Sequence, residues 1–160
     1  MSNERISTSR RIAASPAAIF AIVTDPSQHV AFDGSAMVEG AIEPQRLTSV
    51  GQTFDMDMDR TPLDDIPGLV KYKVRNVVTQ FEADSLVEWA TGGIDQPPVG
   101  HVYGWQLDAL GDTETMVTHY CDWTSVSEEM KTKRSWPIVP LSMLEISIAN
   151  LERMATQGHD

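Results

Sequence analysis

Pro140-Leu141-Ser142-Met143-Leu144-Glu145-Ile146-Ser147-Ile148-Ala149-Asn150-Leu151-Glu152-Arg153-Met154-Ala155-Thr156 is the stretch that decides the fold. Leu141, Leu144, Ile148, Leu151 and Ala155 recur at three- and four-residue steps, and Met143 and Met154 widen the stripe. At about 100° per residue the apolar arc of such a helix spans roughly 160°. A face that broad needs a broad partner. Gly158 reads as the helix stop.

The partner is read upstream, where the period changes to two. Phe54-Asp55-Met56-Asp57-Met58-Asp59 alternates strictly, with three apolar side chains on one face and three carboxylates on the other. Residues 71–75 alternate the same way. Residues 86–90, 101–109 and 113–124 complete a run of strands within 36–123, with Leu110-Gly111-Asp112 as a hairpin turn. Residues 61–68 and 92–100 are rich in Pro, Gly and Asp and read as surface loops. Further upstream, residues 5–13 form a first strand. Ser15-Pro16 and Asp25-Pro26 then each present a capping side chain followed by a proline suited to the first helical position. They predict a helix over 17–23 and a second short one over 27–32, ended by Asp33-Gly34. The order is strand, two short helices, antiparallel strands, one long amphipathic helix: an α+β chain.

Composition narrows the partners. Twelve Lys and Arg stand against 23 Asp and Glu, a net charge of −11. That sign repels phosphate backbones, so nucleic acid and anionic membrane surfaces are not expected partners. No segment approaches the ~20 apolar residues of a membrane helix, so no integral membrane association is expected. A single cysteine, Cys121, forbids an internal disulfide and fits a reducing cytoplasm. The polar start, Met1-Ser2-Asn3-Glu4-Arg5, has no signal-peptide character, so the cytoplasm is the expected location. The length suits one domain over residues 1–160. Nothing in the sequence supports a homo-oligomer.

Several phrases, in order, carry a family resemblance: Ile12-Ala13-Ala14-Ser15-Pro16-Ala17-Ala18-Ile19-Phe20, Thr24-Asp25-Pro26, Tyr103-Gly104-Trp105-Gln106-Leu107, and Thr115-Met116-Val117-Thr118-His119-Tyr120-Cys121-Asp122-Trp123, followed by the final helix. Together they resemble the START-like or SRPBCC superfamily, which shares the fold of the major birch-pollen allergen. Within it the chain looks most like the bacterial polyketide cyclase/dehydrase and lipid-transport family. The resemblance implies a helix-grip fold, a curved antiparallel sheet wrapped around a long C-terminal helix, with a pocket between them. Carriers, receptors, aromatase/cyclases and chaperone activators share that fold, and no catalytic motif runs through them all.

Candidate residues follow from strand parity. Phe54, Met56, Met58, Tyr72, Trp89, Tyr103, Trp105 and Leu107 share the expected concave face, and Leu144 and Ile148, with Leu151, close it from the helix. That face is either a packed core or the wall of an apolar cavity; the resemblance favours the cavity. His119 shares parity with Val117, Cys121 and Trp123. It is either a satisfied core histidine or a polar group that meets a ligand or moves a proton. His29 and Asp33, four residues apart, form either a general-base pair or a contact at a helix end. Cys121 reads as a small buried hydrophobe.

Asp55, Asp57 and Asp59 tempt a metal reading, but a calcium loop needs Gly and Glu where Arg60 and Ile66 stand. They read instead as a solvated strand face, with no metal and no cofactor expected. The expected function is binding or carriage of a small apolar molecule. Two alternatives are an aromatase/cyclase-type enzyme, in which His119 works with Tyr103 or Tyr120, and a protein-interaction module with an acidic surface.

Overall fold

Both helix starts form where the Ser-Pro and Asp-Pro pairs place them. Ser15 Oγ accepts from the Ala18 N–H at 3.1 Å and opens α1 (Pro16–Val23). Asp25 accepts from the Ser27 N–H at 3.1 Å and opens a 3₁₀ turn, Pro26–Gln28, which runs on into the single turn α2 (His29–Phe32). The second helix read over 27–32 therefore begins as a 3₁₀ turn and is α-helical only from His29. The computed structural model describes residues 3–157, so the stop read at Gly158 lies outside the described residues.

Among the described residues, seven strands make one antiparallel sheet: β1 (Arg5–Ile12), β2 (Val38–Ile42), β3 (Thr53–Asp59), β4 (Lys71–Glu82), β5 (Leu86–Gly93), β6 (Val102–Gly111) and β7 (Glu114–Asp122). Their order is β1-β7-β6-β5-β4-β3-β2, so the chain's first strand pairs with its last. Irregular register at Val38/Gly40, Val78/Gln80 and Ala109/Gly111 adds the local bends that let the sheet curl. A six-residue helix, α3 (Glu128–Lys133), follows the sheet, and the long helix α4 (Leu141–Thr156) packs along β1 with α1, α2 and β7 beside it. Leu144, Ile148, Leu151 and Ala155 of α4 are buried, as their spacing requires.

Three readings need correction. Gly111 pairs with Glu114, so the hairpin turns at Asp112-Thr113, one residue later than Leu110-Gly111-Asp112. Gly92 and Gly93 are not loop: they continue β5 opposite Arg75 and Val74. The chain between β7 and α4, blank in the sequence reading, holds α3 and the segment 134–140.

The aspartate run of β3 is a ladder of cross-strand ion pairs. In the β3–β4 register Asp55 faces Arg75, Asp57 faces Lys73 and Asp59 faces Lys71. Arg75 grips Asp55 with two bonds of 2.8 and 2.9 Å, Lys73 pairs with Asp57, and Lys71 reaches Asp59 at 3.1 Å. The three carboxylates lie in line along the strand, each beside its own cation, and do not converge.

Gly34 marks the tightest approach of α2 to α4. A Cβ there would sit 2.3 Å from the Met143 carbonyl oxygen. Ser147 Oγ accepts from the Gly34 N–H at 2.7 Å, and Asn150 Nδ2 donates to the Phe32 carbonyl at 3.3 Å. These two bonds hold α2 against α4 and place His29 and Phe32 under the sheet.

Candidate ligand-binding site

A cavity of about 320 Å³ lies between the concave face of the sheet and the first half of α4. Strand parity builds its wall. Phe54, Met56 and Met58 come from β3; Tyr72, Val74 and Asn76 from β4; Trp89 and Thr91 from β5; Tyr103 and Trp105 from β6; His119 from β7. Met143, Leu144 and Ser147 face it from α4, and His29, Phe32 and Asp33 from α2 and its cap.

Of the residues expected at the cavity, Leu107, Ile148 and Leu151 are not on its wall; all three sit in packed core with Ile12 and Val117. The cavity ends at one row of the sheet. Trp105 faces His119 in register and both line it, whereas the next inward row, Leu107 opposite Val117, is solid. On α4 the same boundary falls between Ser147 and Ile148.

That end row is a stacked pair. The Trp105 and His119 rings lie 3.7 Å apart at 8°. His119 Nδ1 is 2.9 Å from the Gly104 carbonyl. A carbonyl only accepts, so Nδ1 carries the proton and Nε2 is left with a bare lone pair. Burial drives the His119 pKa down to about 4, further lowered by His29 against the pull of the Gly104 bond, so the ring is neutral near pH 7.

His29 is built the same way from the opposite layer. Its Nε2 donates to the Val23 carbonyl at 2.9 Å, and the ring stacks on Trp89 at 5.1 Å and meets Phe54 edge-on. Burial brings its pKa down to about 4 as well. His29 is thus neither a surface contact nor half of a pair with Asp33. Asp33 caps the end of α2, where its carboxylate accepts from Ser35 Oγ at 2.7 Å and from the Val38 N–H at 3.3 Å. Asp33 acts on the imidazole only through its charge, which pulls the His29 pKa upward against the larger effect of burial.

Tyr103 is on the wall, its phenol held well above the ordinary value by burial and in contact with the Cys121 thiol. Cys121 is fully buried, and burial pushes its thiol up to about 12. Tyr120 is on the other face of the sheet. Its hydroxyl donates to Glu88 at 2.6 Å and its ring lies under the Arg5 guanidinium, so it has no access to the cavity. Gly104 makes room for it, since a Cβ there would meet the Tyr120 ring at 2.2 Å.

The sequence reading missed the roof. Met130 of α3 and Arg134, Trp136, Ile138 and Val139 of the following segment line the cavity, as do His101 and Arg60. His101 is buried, edge-on to Trp136 and Tyr103, and its Nδ1 has no hydrogen-bond partner. Burial, with the nearby Arg60 and Arg134, takes its pKa down to about 4. Trp105 Nε1 is likewise buried and unpartnered.

The curled seven-stranded sheet and the long C-terminal helix have the helix-grip fold seen in START-like proteins. No family model matches the chain. It is 35% identical over 119 residues to the uncharacterized protein Rv0088 of Mycobacterium tuberculosis H37Rv, which covers 74% of this chain but 47% of that protein. The chain thus spans about half the length of the curated relatives it matches. Among solved structures, protein Ms6760 of Mycobacterium smegmatis superposes with a TM-score of 0.68 at 15% identity, over 98% of this chain and 93% of that one. A START superfamily protein from the same species gives 0.64 at 15%, over 97% and 99%. Truncated norcoclaurine synthase from Thalictrum flavum gives 0.60 at 16%, over 96% and 94%. At such identities the likeness establishes the fold alone. No helix among the described residues is long and apolar enough to cross a membrane.

Proposed function

We propose that this is a single cytoplasmic domain that binds and carries a small apolar or amphipathic molecule in the cavity under α4. The observation that carries the proposal is the wall itself, around 320 Å³ of space: aromatic rings that include Phe54, Trp89, Tyr103 and Trp105, and methionines that include Met56, Met58 and Met143. Apolar walls with a few fixed polar groups are the usual make-up of a small-molecule site, and methionine adapts to irregular shapes. The volume equals that of about ten waters at ~30 Å³ each, which suits a two-ring aromatic or a medium acyl chain. The bare nitrogens of His29 and His119 are acceptors for a ligand hydroxyl or N–H. A panel of fatty acids, flavonoids, aromatic polyketides and sterols in a thermal-shift assay tests this. A ligand at 100 times its Kd should raise the melting temperature by about 5–10 °C. Sterols should fail on size, and a flat response across the panel would end the proposal.

An enzyme of the aromatase/cyclase type is the second reading. Its support is His119, a neutral imidazole with a free Nε2 on the wall, and the likeness of fold to an enzyme, norcoclaurine synthase. The pKa supports the carrier. A general base works best when its pKa lies near the operating pH, and burial takes both His29 and His119 down to about 4. Such rings accept hydrogen bonds well and take up protons poorly, which favours the carrier. In a carrier, His119→Gln should cost no more than about 1–2 kcal/mol of ligand affinity. In a cyclase the same change should cut turnover by ~100- to 10,000-fold with binding intact. Conversion of a bound ligand by wild type, abolished in His119→Gln, would reverse the assignment.

A further inference from the structure

The chain holds twelve Lys and Arg. Ten form ion pairs. Arg153 bonds Asn150 Oδ1 at 2.8 Å. That leaves Arg134, which among the described residues has no side-chain partner and lines the cavity. In a chain where 23 acids face 12 bases, a free base is not explained by a shortage of carboxylates.

Four ionic side chains line the cavity: Asp33, Arg60, Lys73 and Arg134. The other three are accounted for. Asp33 holds Ser35 and the Val38 N–H, and Lys73 pairs with Asp57. Arg60 is locked on Asp65 by two bonds of 2.7 and 2.9 Å and donates to Tyr72 at 3.2 Å. Asp65, an acid that feels the Arg134 charge, is thereby already matched by Arg60. Beside these arginines stands His101, 6% exposed, with its unpartnered Nδ1. An unmatched guanidinium and an unsatisfied imidazole thus share one end of an apolar chamber.

We infer that the ligand is an amphipathic carboxylate, its head held by Arg134 beside His101 and its apolar body lying inward toward the Trp105–His119 row. The inference rests on the cavity being a ligand site. A guanidinium presents parallel N–H groups that match the two oxygens of a carboxylate. The bound carboxylate gives Arg134 the acidic partner that every other arginine or lysine but Arg153 finds within the chain. A neutral ligand would leave the charge uncompensated at the rim, and a cationic one would be repelled by it.

Isothermal titration calorimetry with two matched pairs, octanoate against octanamide and naphthalene-2-carboxylate against naphthalene-2-carboxamide, tests the head group. In wild type the acid of at least one pair should bind about tenfold or more tighter than its amide. Arg134→Gln should bring acid and amide within about twofold and leave amide affinity unchanged, and Arg134→Lys should restore part of the preference. Arg134 is half-buried on an irregular segment, so unchanged melting temperatures should accompany these results. Equal binding of acid and amide by wild type overturns the inference and leaves the carrier reading standing. A preference that survives Arg134→Gln also overturns it. Failure of all four compounds to bind folded protein removes the carrier reading with it.

Discussion

Ile148→Asp unfolds the domain or brings it to the edge of unfolding. Ile148 is 1% exposed and sits mid-way along α4, in the cluster that includes Leu151, Val117 and Ile12. Removing its side chain from a packed core costs about 2–4 kcal/mol. Placing a carboxyl there without a partner adds about 1–3 kcal/mol even when it is protonated. The total, roughly 3–7 kcal/mol, is comparable with the entire 5–15 kcal/mol stability of an ordinary domain. Ile148→Val, which deletes a single methylene, should cost about 0.5–1.5 kcal/mol. Arg153→Ala on the exposed face, losing a bond to Asn150, should stay within about 0.5 kcal/mol. Urea melts followed by far-UV circular dichroism should rank the three in that order. Similar small effects from Ile148→Asp and Arg153→Ala would mean that the helix buries another face.

That ranking relies on the part of the molecule most legible from sequence. A helix stripe and a strand alternation are local periodicities: Leu144, Ile148, Leu151 and Ala155 of α4 and Phe54 and Met56 of β3 are buried as their periods demand, while Leu141, at the first position of the stripe, is 40% exposed. The ion-pair ladder was also written in the sequence, though unread. Asp55, Asp57 and Asp59 alternate in β3, and Arg75, Lys73 and Lys71 alternate in β4, so an antiparallel register brings them together in order. Periodicity failed at Leu107, Ile148 and Leu151 for a definite reason. It says which face a side chain takes, but not where along that face the layers close. Closure is set by α1 and β1 packing on the C-terminal half of α4, which is a tertiary event. The roof was invisible for another reason. Helix α3 is six residues long with none buried, and Arg134, Trp136 and Ile138 follow it with no period. Their meeting with His101, some thirty residues earlier, depends wholly on the fold.

Acid should dissolve the fold well above the pH at which carboxylates titrate, and the three buried histidines set the window. His29, His101 and His119 each have a folded pKa of about 4, against 6.5 for an unperturbed imidazole. Desolvation is the leading cause in all three, reinforced by Arg60 and Arg134 at His101 and by His29 at His119. Between those two values the unfolded chain binds protons that the folded chain refuses, so stability rises with pH across the window. The histidine contribution is complete above about pH 7.5, falls as pH drops through 6.5, and levels off below about pH 4. Each group contributes at most about 1.4 kcal/mol per pH unit, so three together approach 4 kcal/mol per unit. From pH 6.5 to pH 5 the loss is on the order of 5 kcal/mol, enough to unfold a domain at the low end of ordinary stability. Asp25, Asp55, Asp65 and Asp122, all held below their usual range, add to the loss only at lower pH. Melting temperatures measured from pH 8 to pH 4 should therefore be flat above about 7 and drop steeply below 6. Histidine C2–H resonances in the folded protein should show three rings that stay neutral through this range. His119→Gln should reduce the slope by about one third, since one of three linked protons is removed. A melting temperature unchanged down to pH 4.5 would mean that the rings take up protons in the folded state, as a cavity open to water around His29 and His119 would allow.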